Sequence, residues 1–176
     1  MVRLVTTGAA TQLTGLSTNQ LREWTSRRAL IPADVLHRGR GSPAQYGWQT
    51  LLLLRIAAVL RSRFCLELQA HRKIFAEMRK SFGSTSFLRL WGSCIVIYGP
   101  DRWQLTEVAA SHLNEDDGII LHLDSHLRVL SAEFGMSSSA PGQLELFPAR
   151  LVRREKTASI LTGTTLTKPS SKRRSA

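Results

Sequence analysis

The sequence predicts an α+β protein: a helical front half, then a small strand-rich unit, then a polar tail. Three observations predict it. A Ser-x-x-Gln capping signal at Ser17 and Gln20 follows a glycine, Gly15, between two short helical patterns. A long apolar run at 51–60 is broken only by Arg55, and a second amphipathic pattern follows it. Two short β-branched, apolar runs at 93–98 and 118–123 are each bounded by turn residues.

Residues 2–5 read as a short strand or lead-in, and Thr7 can cap a first helix through Ala9, Ala10 and Leu13. Gly15 ends that helix, because a sharp reversal needs a residue that tolerates positive φ. A second helix is predicted over 18–27. Leu21 and Trp24, three apart, face inward, while Thr18, Asn19, Arg22 and Glu23 face out. Arg27 and Arg28 close its last turn, where cations suit the helix dipole. An outward face of Asn and Arg beside a helix N-terminus is what a major-groove reader presents; the plainer alternative is a helical hairpin with a solvated face.

Ile31-Pro32 leaves the helix in extended form. Val35 to Tyr46 reads as a small β-hairpin with Arg38-Gly39-Arg40-Gly41 at its tip. Two arginines on such a tip form a wing able to touch phosphates or enter a minor groove. A helix is predicted over 48–63. It is apolar almost all round, so it needs cover from the rest of the chain or from a dimer mate. A further helix to about residue 82 carries Ala70, Ile74, Phe75, Met78 and Phe82 as its stripe. Gly83-Ser84-Thr85-Ser86 marks the expected domain boundary. Beyond it, strands are expected at 93–98 and 118–123, with turns at Gly99-Pro100-Asp101 and at 114–118; 103–108 reads as a further strand, or Thr106 caps a short helix to Leu113. Leu127, Leu130 and Phe134 fit a short helix behind an Asp124 or Ser125 cap, or a further strand. Three segments result: a reader (1–82), a small α+β dimerisation, effector or partner module (87–150), and a basic tail (151–176) whose Ser/Thr-rich composition predicts disorder.

Charge follows the same division. Residues 1–82 carry 13 Lys/Arg against 4 Asp/Glu, residues 83–150 carry 4 against 8, and residues 151–176 carry 7 against 1. A front at net +9 points to a polyanion, and the acidic middle points to something else. Only Cys65 and Cys94 are present, with no paired spacing, and both read as inert core residues in a reduced compartment. No apolar run approaches the roughly 20 residues needed to cross a bilayer, and the N-terminus lacks a signal-peptide pattern, so a cytoplasmic protein without membrane contact is expected. His122 and His126 are four apart with Asp124 between, yet His122 sits in a strand pattern, where that spacing does not bring two ligands together. His37 and His71 are isolated. No phosphate-binding Gly-rich loop, nucleophile elbow or paired carboxylates occur in the sequence. The reading is a binding protein, not an enzyme, with no metal or cofactor.

The order of pieces over about 5–80 resembles the DNA-binding domain of the MerR family of bacterial transcription regulators. The resemblance rests on Leu13-Thr14-Gly15-Leu16-Ser17, Leu21-Arg22, Ala29-Leu30-Ile31-Pro32, the Gly-rich segment leading to Tyr46, and the helical pair after it. It implies a winged helix-turn-helix that binds double-stranded DNA. The implied contacts are Ser17, Thr18, Asn19, Gln20 and Arg22 on the recognition helix, Arg38 and Arg40 on the wing, and Tyr46 on the DNA backbone. The chain departs from the family at Glu23 and Trp24, where two tyrosines are common, and in the wing strand Gly41-Ser42-Pro43-Ala44-Gln45-Tyr46. It also lacks a sustained heptad run after residue 82, so a homodimer would form through a compact interface within 51–134. The expected function is a sequence-specific, dimeric transcription regulator. The alternative is an antitoxin-type interaction protein, in which the acidic middle covers a toxin partner while the front autoregulates the operon. Separately, Gln143-Leu144-Glu145-Leu146-Phe147 resembles the peptide by which bacterial replication and repair proteins dock on the sliding clamp; an ordinary closing strand is the other reading.

Overall fold

The computed structural model describes residues 3–36, 39, 42–108 and 117–136, all within one compact unit. Its axis is α3 (Trp48–Phe64). Leu51, Leu52, Leu53, Leu54, Ile56 and Ala57 are fully buried, which the nearly all-round apolar sequence requires. The chain supplies the cover itself. α1 (Thr7–Thr14), α4 (Arg72–Ser84) and α5 (Asp124–Phe134) all pack on α3, so its apolarity calls for no second copy.

Ahead of α1, β1 (Val5–Thr6) pairs antiparallel with β2 (Gln45–Tyr46), Val5 opposite Tyr46 and Thr6 opposite Gln45. Val35 and Gln45 form an antiparallel bridge at the base of the expected hairpin, on the edge of β2 away from β1. Arg38, Arg40 and His37 lie outside the described residues, as do 137–176 with the 143–147 motif and the basic tail.

After α3, Leu68–His71 makes a 3-10 turn into α4, whose Ile74, Phe75, Met78 and Phe82 are buried as their spacing predicts; Ala70, the first member of the expected stripe, is instead exposed in the 3-10 turn. Gly83 and Ser84 complete the helix, and the break falls at Thr85. A second 3-10 turn, Phe87–Leu90, then places Phe87 edge-on to the Trp48 ring, with centroids 5.2 Å apart. Side chains from both sides of 83–86 therefore share one core, from Val5 to Phe134.

β3 (Ser93–Ile97) is the centre of an antiparallel sheet of order β4-β3-β5, flanked by β4 (Trp103–Glu107) and β5 (Ile119–His122). Ile95 stands opposite both Leu105 and Leu121, and Ile97 opposite Trp103 and Ile119. That face enters the common core. Thr106 is a strand residue, not a helix cap. α5 starts at Asp124, but no side chain caps it; the Asp124 carboxylate instead accepts from the Gly92 N–H at 2.8 Å. Among the described residues no helix is long and apolar enough to cross a membrane.

Candidate nucleic-acid interface

The turn between α1 and α2 (Thr18–Arg22) is built by local hydrogen bonds. Gly15 takes φ 73°, and its N–H donates to the Thr11 carbonyl at 2.9 Å. A side chain there would be strained, so glycine suits this position. Leu16 is buried behind the turn and anchors it. Ser17 then caps α2 as the sequence predicts. Gln20 N–H donates to Ser17 Oγ at 3.2 Å, and Ser17 N–H donates to Gln20 Oε1 at 3.0 Å. Ser17 and Gln20 are thus committed to the cap, although both remain exposed.

Leu21 is fully buried, and this fixes which face of α2 turns outward. Thr18, Asn19 and Arg22 are exposed on it. Arg22 makes no ion pair among the described residues. Glu23 is half-buried and accepts from Arg28 Nε at 2.7 Å, with Arg27 at 3.6 Å, so it does not neutralise Arg22.

The predicted single helix over 18–27 is two pieces. From Glu23 to Arg27 the backbone widens into a π-helical turn, and Arg28 N–H reaches Glu23 O at 2.8 Å. Trp24 O then accepts from both Leu30 and Ile31, while Ala29 at φ 47° reverses the chain. Trp24 docks only partly, and the buried partner to Leu21 is Thr25, whose hydroxyl donates to the Leu21 carbonyl at 2.8 Å.

A cleft of about 640 Å³ opens beside this helix. Arg22, Ser26 and Arg27 line it together with Pro43, Ala44, Thr7 and Tyr46. Tyr46, which the family resemblance implies as a backbone contact, is only 1% exposed; it is a core residue that also lines the cleft. The residues that flank the segment with Arg38 and Arg40 are braced. Asp34 and Val35 N–H groups both donate to Gln45 O at 3.1 Å, and Gly47 N–H donates to Asp34 Oδ2 at 2.6 Å. From α4, Arg79 donates to Asp34 Oδ1 at 2.9 Å and also to the Pro32 carbonyl. Sequence reasoning missed this brace, since Asp34 and Arg79 lie far apart in the chain and each reads alone as a solvated charge.

Of the other candidates, His122 is exposed on β5 while His126 is buried on α5, and no three His, Cys, Asp or Glu side chains come together to hold a metal among the described residues. Cys94 is buried as expected, and burial pushes its thiol pKa up. Cys65 corrects the expectation of a core cysteine. It is exposed at φ 54°, the left-handed residue that ends α3, because the helix runs one turn past its apolar stretch. No protein-family model matches this chain, and no curated protein sequence matches it.

Proposed function

We propose that the protein is a sequence-selective double-stranded DNA-binding regulator of the winged helix-turn-helix kind. Thr18, Asn19 and Arg22 read base edges in the major groove. Arg38 and Arg40 contact phosphates from the loop between Val35 and Gln45. Arg27, on the wall of the cleft, adds to the same positive edge. The observation that carries this reading is the outward face of α2: an uncharged amide and an unpaired guanidinium beside a capped helix start, backed by the buried Leu21. Asn and Arg are the side chains that pair bidentately with adenine and guanine. The strand, helix, turn, helix, bridge and helix order around that face, and the net charge of +9 over residues 1–82, support the reading further.

The experiment is site selection from randomised duplexes with the full-length protein, followed by titration of the selected site. Asn19→Ala and Arg22→Ala each weaken binding by about 1–3 kcal/mol and relax preference at one or two base pairs. Arg38→Ala and Arg40→Ala lower affinity for all duplexes alike and reduce the salt slope by about one each. Failure to enrich any sequence, or unchanged binding by both α2 variants, overturns the assignment.

A further inference from the structure

On the flank of α2 away from Asn19 and Arg22, a second cleft of about 350 Å³ lies between the α1–α2 turn, α3 and α5. Arg55, Arg61 and Arg63 line it together with Gln20, Trp24 and His126. No Asp or Glu lines it among the described residues.

Its charges are unbalanced. Arg55 is half-buried, and its guanidinium donates to the Leu13 carbonyl and, through Nε, to His126 Nδ1 at 3.3 Å. Both partners are neutral, so the buried cation has no counter-charge, and burial lowers its pKa. Arg63 makes no ion pair among the described residues. Arg61 donates to the Leu66 carbonyl at 3.4 Å, and its one carboxylate partner among the described residues, Glu67 at 3.9 Å, lies outside this cleft.

Its hydrogen-bonding groups are unbalanced as well. Burial first, then Arg55 and Arg63, hold the His126 pKa down to about 4, so the ring is neutral at pH 7. Because Nδ1 accepts from Arg55, the proton sits on Nε2, an N–H donor with no acceptor among the described residues. Gln20 uses its side-chain oxygen in the cap, which leaves its NH₂ group as another donor. Trp24, Ala58 and Val59 supply an apolar wall. Donor-bearing and cationic side chains line a space that an indole also lines, and the component that would balance them is an anion with an apolar body.

We propose that this cleft binds a small organic oxyanion, a carboxylate or phosphate monoester carrying a flat apolar group. The acid group lies among Arg55, Arg63 and the His126 N–H, and the apolar body lies against Trp24. By helical geometry Gln20 stands about 130° round α2 from the midpoint of Asn19 and Arg22, so the ligand does not compete for the outward face. The claim concerns the free protein and does not depend on the DNA-binding reading.

The test uses the full-length protein and its tryptophan fluorescence, with Trp24→Phe identifying the reporter. Sodium benzoate and phenyl phosphate are titrated to roughly 20 mM at constant ionic strength, with benzyl alcohol and inorganic phosphate as controls. A saturable Trp24-dependent change with either aromatic anion is expected, and whichever binds tighter identifies the acid group. Arg63→Gln, at an exposed and unpaired position, weakens it by about tenfold while leaving the melting temperature unchanged. Four results overturn the proposal: no saturation by either aromatic anion, equal binding of benzyl alcohol, equal binding of inorganic phosphate, or unchanged affinity in Arg63→Gln. None of these measurements contains DNA, so the site can fail while the outward face of α2 stands, and the reverse.

Discussion

Lowering the pH from 7.5 to 4.5 tests the Arg55–His126 contact directly. His126 is 8% exposed, and its folded pKa of about 4 lies below the ordinary 6.5. Between those values the unfolded chain takes up a proton that the folded protein refuses. Stability therefore rises with pH across this window, is fully present above 6.5, and is lost as pH falls toward 4. Holding the pKa that far down corresponds to about 3 kcal/mol in full, most of which is lost between pH 7.5 and 4.5. Carboxylates titrate in the same range, so the quantity to read is a difference between two proteins. In His126→Asn the amide oxygen can accept from Arg55 Nε where Nδ1 did, and the side chain does not titrate. Urea unfolding followed by far-UV circular dichroism at both pH values gives the two stabilities. The wild-type protein should lose about 2–3 kcal/mol more than His126→Asn. Equal losses would mean that His126 is solvated in the folded state, and the desolvated contact with Arg55 would be refuted.

Other perturbations have equally definite outcomes. Gly118→Ala places a Cβ at 3.1 Å from the Ile97 carbonyl oxygen and 3.0 Å from a Val96 methyl, so it should cost about 1–3 kcal/mol and lower the melting temperature; an unchanged melting temperature would mean that β5 can shift away from β3. Ser17→Ala removes one half of the capping box and should cost about 1 kcal/mol in urea unfolding, whereas Ser17→Asp should cost little. Leu53→Ala, in the fully buried face of α3, should cost about 2–5 kcal/mol, and a smaller value would indicate collapse of neighbouring helices into the cavity. Arg79→Ala breaks a partly exposed pair and should cost under about 1 kcal/mol globally, yet amide exchange at Gly47 should quicken, because Asp34 loses the group that orients it.

What the sequence made legible was local. The capping box needs only Ser17 and Gln20, three residues apart, and the stripe of α4 needs only its own spacing. β3 and β5 were readable because β-branched and apolar runs ended at turn residues, whereas Trp103 to Glu107 left strand and helix open until its pairing with β3 decided it. The π-helical turn was not, since Glu23 to Arg27 has no residue that disfavours an ordinary helix; the widening accompanies the double capture of Leu30 and Ile31 by the Trp24 carbonyl. Cys65 misled because a left-handed helix end normally advertises itself with glycine, and here a cysteine occupies it. The outward residues of α2 could be named from helical phase alone. The Arg55 cluster could not, because His126 lies 71 residues away and Leu13 contributes only a backbone oxygen. The one hint was a charge at Arg55 within the run at 51–60.

That hint has a general physical content. A guanidinium is expensive to bury, and a Leu-rich helix would be more stable on its own terms with leucine in that place. Arg55 is tolerated because α1 ends where its guanidinium reaches, offering the Leu13 carbonyl, one of the last-turn oxygens with no helical partner. The second acceptor comes from α5, which the sheet holds in place: Leu123 N–H donates to Ser93 O at 3.1 Å, and Asp124 accepts from Gly92. One arginine thus satisfies the open end of the helix before the Gly15 turn and meets the only buried histidine among the described residues. Replacing it with leucine would remove the desolvation cost but leave Leu13 O and His126 Nδ1 without their donor. The arrangement joins the front half of the chain to the back half by hydrogen bonds, which need a particular geometry, as well as by apolar contact, which does not.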